Sequence, residues 1–380
     1  MNNNKQLKDY NQFLEKNGFI IINENYNCVV LSEYLTSIKE SFEKMVVKII
    51  RTAGYKEIST PYFVHEDLYL AEKNDAERYK AFKEPVLLYQ GGHRLKKAYV
   101  LSPELNVYSS LVFKGMVHAH SELPLKVFSR IVSFNPIKLS DSFVKSFESK
   151  SYEMDCYMSN DNKLEETNRM SNIVDTIISE LKLKPVIKKE GGETLYFVNS
   201  GDKLIELCKY GSCISNWANT KNLSYTGKNG EIMHPQYANC RINDSLFWYF
   251  LFFHFDGFSL RLPVKFLPYE VVILPIYTPQ YRQCIDEYTS QIGAVLAKNN
   301  IRFYLDSGPR KKLGEKYNKW RRFGIPLLIE VGNNEYKNRQ ITIINQYSRE
   351  RKTINLQEII EEINISNPLA ELEKREKISK

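Results

Sequence analysis

A mixed helix-and-strand protein whose last third is an α/β sheet is the fold class this sequence predicts. Two observations carry that expectation. From residue 270 onward, short apolar runs alternate with amphipathic helical patterns, the signature of strands covered by helices. Before residue 270 there is no such alternation: a long amphipathic helix, a hairpin signature and a turn-rich segment follow one another.

The elements follow in order. Residues 31–50, LSEYLTSIKESFEKMVVKII, set Leu35, Ile38, Phe42, Met45, Val46 and Ile49 at helical spacing, with Lys and Glu on the other side. Gly54 stops that helix, and YKEISTPYFV reads as a short strand with Pro61 breaking its pairing or lying at an edge. Residues 84–115 read as strands flanking a turn at Gly91-Gly92, and LPLKVFSRIVSFN (123–135) as a further strand. A helix is expected over 163–182. PVIKK, the turn EGGE and TLYFVN then form a hairpin, and 219–233 is rich in turns.

The last third is clearer. EVVILPIY (270–277) is a buried strand. A helix over 281–300 puts Ile285, Tyr288, Ile292, Val295 and Leu296 on one face. IRFYLDS is a strand, KLGEKYNKWRRF a helix, IPLLIEVG and RQITIINQ strands, and NLQEIIEEIN a helix. KFLPY (265–269) marks a boundary, and the charged end LAELEKREKISK is expected to fray.

Composition narrows the class. A chain of 380 residues suggests two domains, and 43% hydrophobic with 13% aromatic residues supplies real cores and argues against disorder. The net charge of +8 permits a nucleic-acid partner without requiring one. The longest apolar block, Leu246 to Phe253, is bounded by Asp244 and Asp256 and falls well short of the roughly 20 residues that cross a bilayer. It is expected to be a core helix. The first residues lack the apolar stretch of a leader, so a soluble cytoplasmic protein is expected. Cys28, Cys156, Cys208, Cys213, Cys240 and Cys284 include no CxxC pair and read as free buried thiols. His93, His118 and His120 have no acidic partner at metal-ligating spacing, so no metal is expected. Neither a phosphate-cradling GxxxxGK[ST] nor a GxGxxG occurs.

Several segments resemble the class II aminoacyl-tRNA synthetases, and among them the prolyl-tRNA synthetases. GYKEISTP (54–61) resembles motif 1. SPELNVY (102–108) resembles the loop that grips the amino acid's ammonium group, and ELPLKV (122–127) the lead-in to motif 2. SYEMDCYMSNDNKLEETNRMSNIVDTIISELKL and LIELCKYGSCISNWAN resemble the segments beyond it. LPYEVVILPI, GEKYNKWRRFGIPLLIEVG and ITIINQ resemble the anticodon-binding domain. The resemblance implies an α+β core, a class II synthetase-type antiparallel sheet with helices, followed by a smaller α/β anticodon-binding-type domain. It divides the chain into an N-terminal extension (1–30), a core without an editing insertion (31–266), an anticodon-binding-like domain (267–366) and a charged tail (367–380). It further implies a homodimer with Pro61 in the interface, an amino-acid site at Ser102 and Glu104, and a tRNA or other nucleic-acid partner. The basic residues Arg310, Lys311, Lys312, Lys316, Lys319, Arg321 and Arg322, interleaved with Tyr317 and Trp320, would serve that partner.

The departures from the family pattern bear on activity. The family places one arginine in motif 2 on the α-phosphate of ATP and one in motif 3 on the γ-phosphate. Loss of one such donor costs roughly 10²–10³ in rate. Here the motif 2 arginine falls on Asn135, or on Ser133 in a shifted register, with Arg130 and Lys138 nearby. The motif 3 arginine falls on Asn243 or Ser245, with Arg241 the nearest cation. The motif 3 glycines become Ala238 and Cys240, which would crowd the adenine, and His254 and Asp256 hold the His-x-Asp turn. The expected function is a prolyl-tRNA synthetase-like paralogue without normal adenylate-forming activity, a tRNA- or nucleic-acid-binding regulatory or accessory protein. A divergent active proline–tRNA ligase is the alternative, with ATP and Mg as its cofactors and Arg130, Lys138 or Arg241 as relocated cations. A synthetase-like accessory subunit of a polymerase is the weaker one.

Overall fold

The computed structural model describes residues 3–23, 28–68, 89–90, 93–94, 99–101, 108–134, 148–200, 203–212, 217–308 and 312–366. They fall into two compact units. One comprises Met1–Asn11, Ile22–Val30 and Glu43–Phe253, the other Gln12–Ile21, Leu31–Phe42 and His254–Lys380.

The chain opens with helix α1 (Asn3–Lys16) and a small two-stranded sheet of Ile20–Asn23 with Cys28–Leu31, neither of which the sequence pattern announced. The expected long helix is α2 (Glu33–Thr52). Ser32 Oγ accepts the Leu35 N–H at 3.3 Å and so caps a donor the first turn leaves orphaned. Leu35, Ile38, Phe42, Val46 and Ile50 bury one face, and Gly54 follows the helix end at φ +91°.

The first unit is built on a seven-stranded sheet. Its strands are β1 (Lys56–Glu57), β2 (Leu125–Phe134), β3 (Glu148–Met158), β4 (Val186–Glu190), β5 (Glu193–Ser200), β6 (Lys203–Ser212) and β7 (Gln236–Asn243). They lie in the order β4-β5-β6-β7-β3-β2-β1, antiparallel throughout except for β1 on β2. YKEISTPYFV is not one strand. After β1 the chain passes an exposed Pro61, and Phe63–His65 pairs separately with Tyr99–Leu101. Tyr89–Gln90 pairs with His93–Arg94, while Gly91-Gly92 lies outside the described residues. Residues Ser109–Met116, expected as strand, form helix α3, which buries Ser109, Ser110 and Phe113, with the extended residue Val117 buried just past its end.

Strand register assigns the sheet two chemically different faces. Side chains alternate across a strand, and the pairings Lys126↔Cys156↔Ala238 and Phe128↔Met154↔Cys240 put these residues together on one face. Tyr210 lies opposite Cys240 and Tyr196 opposite Cys208, extending that face across β5 and β6. Helix α4 (Lys163–Glu180) packs here. Ser171 shares a 2.8 Å hydrogen bond with Tyr210, Tyr196 donates to Asp175 at 2.7 Å, and Lys126 pairs with the buried Glu166 at 3.5 Å. The opposite face carries Ser129, Ile131, Ser133, Ser151, Glu153, Asp155, Tyr157, Tyr237, Asn239, Arg241 and Asn243. Its Tyr157–Tyr237 end is covered by Phe113, Val117, Leu223 and Tyr225, from α3 and the segment after helix α5 (Trp217–Thr220). Tyr157 donates to the Ser109 carbonyl at 2.6 Å. The apolar block is helix α6 (Ser245–Phe253), with Leu246 through Leu251 buried, as its length had suggested.

The second unit holds a five-stranded sheet. β8 (Val271–Pro275) lies parallel to β9 (Phe303–Leu305) and β10 (Leu327–Val331), and β11 (Gln340–Asn345) and β12 (Arg351–Asn355) complete it antiparallel. Every residue of β8 and of β10 is buried, Glu330 of β10 included, and the unbroken apolar run of β8 is what a parallel strand covered on both faces requires. Helix α7 (Arg282–Lys298) buries Ile285, Tyr288, Ile292 and Leu296 against them. Helices α8 (Leu313–Arg322), α9 (Asn333–Asn338) and α10 (Ile359–Ser366) follow. β12 and α9 were not anticipated from sequence.

Gly324 ends α8 at φ +74°, and a Cβ there would sit 1.6 Å from the Leu260 carbonyl oxygen. Gly314, inside α8, has open space around it. Gly324→Ala is expected to cost at least about 2 kcal/mol of stability, whereas Gly314→Ala gains about 0.5–1 kcal/mol. Denaturant melts of the two variants check this opposite pair of signs.

Candidate active site on the polar face of the central sheet

Burying charge without partners is costly, so a sheet face that buries three charged groups and three serine hydroxyls requires an account. Glu153, Asp155, Ser129, Ser133, Ser151 and Arg241 are all buried. Strand pairing brings them together: Glu153 lies between Ser129 and Arg241, and Asp155 opposite Asn239.

Arg241 and Glu153 form a fork-to-fork pair, with Nε to Oε2 at 2.7 Å and Nη2 to Oε1 at 2.8 Å. Asp155 accepts from Tyr237 Oη at 2.6 Å and from Asn239 Nδ2 at 3.1 Å. Burial, then the Glu153 charge, push the Asp155 carboxyl up to about 7, against the pull of those two hydrogen bonds and of Arg241. Asp155 therefore exchanges a proton near neutral pH and can turn from donor to acceptor. Lys209, opposite Arg241 on β6, has Nζ 3.8 Å from Glu193 Oε2. Ser129 Oγ is buried with no hydrogen-bond partner among the described residues.

The sequence-expected positions separate cleanly. Ser133 lies on the polar face, where its Oγ is 3.0 Å from Ser149 Oγ. Asn243 Nδ2 donates to Glu206 Oε1 at 3.0 Å, and Ser245 Oγ donates to the Glu206 carbonyl, so both motif 3 positions are tied to one residue of β6. Arg130 occupies the opposite face and is exposed, its Nε 2.9 Å from Glu57 Oε1. Ala238 and Cys240 also belong to that opposite face and are fully buried. The period-2 alternation turns both away from the polar face, toward the side on which α4 packs. Ser102, Glu104, Asn135 and Lys138 lie outside the described residues. Cys156, Cys208 and Cys240 are free and buried and Cys284 is free but only half-buried. Among the described residues, no cluster of three or more His, Cys, Asp or Glu side chains could hold a metal.

Sequence reading overlooked Glu153 and Asp155. The signal was present: in SYEMDCY, Ser151, Glu153 and Asp155 alternate with Tyr152, Met154 and Cys156, and in YANCRIN, Tyr237, Asn239, Arg241 and Asn243 alternate with Ala238, Cys240 and Ile242.

In the second unit the basic helix divides into buried and exposed charge. Lys316 is buried, with Nζ donating to the Asp306 carbonyl at 2.6 Å and lying 3.2 Å from its carboxylate. Trp320 is buried too, and its Nε1 donates to Asp306 Oδ2 at 2.8 Å. The expectation that Lys316 meets nucleic acid and that Trp320 offers a stacking face is thereby corrected: both brace the domain. Lys312 and Arg322 are exposed or partly so, as are Lys319 and Arg321. Arg321 and Arg322 stand 4.9 and 5.6 Å from the ring of Phe258, itself exposed. Arg310 and Lys311 lie outside the described residues. In the His-x-Asp turn, burial raises the Asp256 carboxyl, but the N–H groups of Phe258 and Ser259, the Ser259 hydroxyl and Arg261 together hold it below its ordinary value.

A family profile for the anticodon binding domain matches residues 270–364. The chain is 24% identical over 353 residues to a proline–tRNA ligase of Picrophilus torridus, covering 87% of this chain and 74% of that one. It is 22% identical over 365 residues to that of Clostridium novyi, covering 93% and 75%. Its fold matches the Giardia lamblia prolyl-tRNA synthetase solved with prolyl-adenylate, at a TM-score of 0.82 and 19% identity over 97% of this chain and 80% of that one. It also matches the Cryptosporidium parvum enzyme solved with halofuginone and AMPPNP, at 0.81 and 18% over 97% and 79%. The antiparallel core with its C-terminal anticodon-binding domain is that of a class II synthetase. By sequence and by fold, the chain is similar to the prolyl-tRNA synthetases of that class.

Asp155 gives a pH test. Its folded value, about 7, lies above its ordinary 3.8, so the folded state keeps a proton that the unfolded state releases. The stabilisation is complete below about pH 4 and is lost as pH rises towards 7, at most about 4 kcal/mol. Asp155→Asn is expected to flatten the stability profile across that window and to be the more stable protein at pH 8. Chemical melts from pH 4 to 8 measure both.

Proposed function

We propose that this chain is a prolyl-tRNA synthetase-like protein that no longer forms aminoacyl-adenylates and that binds tRNA, or another structured nucleic acid, in a regulatory or accessory role. One observation carries the reading. The guanidinium that β7 presents to the polar face, Arg241, is closed in a bidentate pair with Glu153, while Arg130 stands on the other face beside Glu57. Adenylate formation concentrates negative charge on phosphate oxygens, and cations already bound to carboxylates do not stabilise it. An anion of the ligand would have to displace a buried carboxylate first, which costs several kcal/mol.

The retained activity of this reading is recognition. The anticodon-binding profile and the cations Lys312, Lys319, Arg321 and Arg322, two of them beside Phe258, support an RNA partner, through phosphate contacts and stacking. The homodimer belongs to the same proposal, with Pro61 and its exposed neighbours Tyr62 and Phe63 as the contact surface. A divergent active proline–tRNA ligase is the second reading, favoured by similarity to proline–tRNA ligases along nearly the whole chain.

Pyrophosphate exchange with each of the twenty amino acids separates the two. The proposal expects no exchange above background, and saturable proline-dependent exchange establishes the ligase instead. For the RNA arm, Arg321→Glu with Arg322→Glu is expected to weaken tRNA binding without lowering the melting temperature. The slope of log K against log salt should flatten by about one for each phosphate that the variant no longer neutralises. Unchanged affinity at two salt concentrations would remove this helix from the interface.

A further inference from the structure

We infer that Glu153 is a specificity-determining residue: its carboxylate occupies the fork of Arg241 and excludes oxyanions such as phosphate and pyrophosphate from the polar face. The inference rests on the reading of this face as a former nucleotide site and names the side chain that closes it. Three features of the geometry support it. Both oxygens of Glu153 take up N–H groups of Arg241, at 2.7 and 2.8 Å, the two-bond arrangement by which a guanidinium holds phosphate. Both side chains are buried, so solvent competes weakly for either charge. The two residues are direct cross-strand partners on β3 and β7, so the carboxylate competes as an intramolecular ligand at high effective concentration. Ser129, opposite Glu153 on β2, adds a buried hydroxyl with no hydrogen-bond partner among the described residues, a polar atom that an oxyanion at this place would satisfy. The neighbouring carboxyl is Asp155, which feels the Arg241 charge and is largely protonated below pH 7.

The test is calorimetric titration of magnesium-free inorganic pyrophosphate at pH 6 and low salt, with circular dichroism melts of every protein. The wild type is expected to give no saturable binding. Glu153→Gln and Glu153→Ser are expected to bind at least about tenfold more tightly than the wild type's detection limit, the worth of about one charge-assisted contact. Adding Arg241→Met to Glu153→Gln should abolish the gain. Folded Glu153 variants that bind no better than wild type overturn the inference and leave the reading of a retired site standing. Binding that persists without Arg241 also overturns it. If neither Glu153 variant folds, the carboxylate is a structural strut and the inference is likewise lost. Tight binding by the wild type itself overturns instead the reading that the site is retired.

Discussion

The polar face is organised around the contact of Arg241 with Glu153. A buried ion pair of this kind adds little net stability against an apolar equivalent, yet removing one partner costs about 3–5 kcal/mol because a lone charge is left behind. The pair is therefore locked, and its neighbours adjust to it. Asp155, one alternation further along β3, loses hydration, meets the Glu153 charge and titrates near neutrality. Tyr237 and Asn239, paired across from Tyr157 and Asp155, donate to Asp155 and hold the row in place. Parity along β3 and β7 fixes which groups meet. A shift of one residue in β7 would bring Cys240 or Ile242 opposite Glu153, and the same shift in β3 would bring Met154 or Tyr152 opposite Arg241.

A comparable economy of charge holds in the second unit. Asp306 accepts from both Lys316 and Trp320, so one residue anchors α8 through two of its buried side chains. Of the remaining cations of the helix, Arg321 and Arg322 lie against Phe258 and Lys319 lies over the ring of Trp320. A run that reads as uniformly basic in sequence thus splits by helical phase into a brace and an exposed set. Only the exposed set is available to a partner.

Much of the architecture was legible in the sequence because burial imposes periodicity. The helices at 33–52, 163–180 and 282–298, the hairpin of β4 and β5, and the all-apolar β8 and largely apolar β10 all follow from spacing and turn residues. What escaped includes the long strands β3 and β6, which no spacing argument had assigned, and elements that are short or sit where local signals conflict. Ser109–Met116 carries β-branched Val112 and two serines, so it did not stand out as helical. β12, at RKTIN, buries only Ile354 and shows no apolar run. The site was harder to read than the fold. Matching positions to a family motif pointed to Asn135 or Ser133, and to Asn243 or Ser245, as the places where its arginines would fall. It did not identify the faces, and so it passed over Glu153 and Asp155. Those assignments need strand pairing, which joins residues far apart in the chain.

A fold is retained through many interchangeable apolar contacts, whereas an active site depends on a few side chains aimed at one point. The fold here follows the prolyl-tRNA synthetases, while the cation on β7 has been given a carboxylate partner from its own sheet. The most direct test is a crystal structure of the wild-type protein soaked with ATP, magnesium and proline. A retired site predicts Arg241 still closed on Glu153 and no ordered triphosphate on the polar face. A triphosphate clasped by Arg241, with Glu153 swung aside, would contradict it.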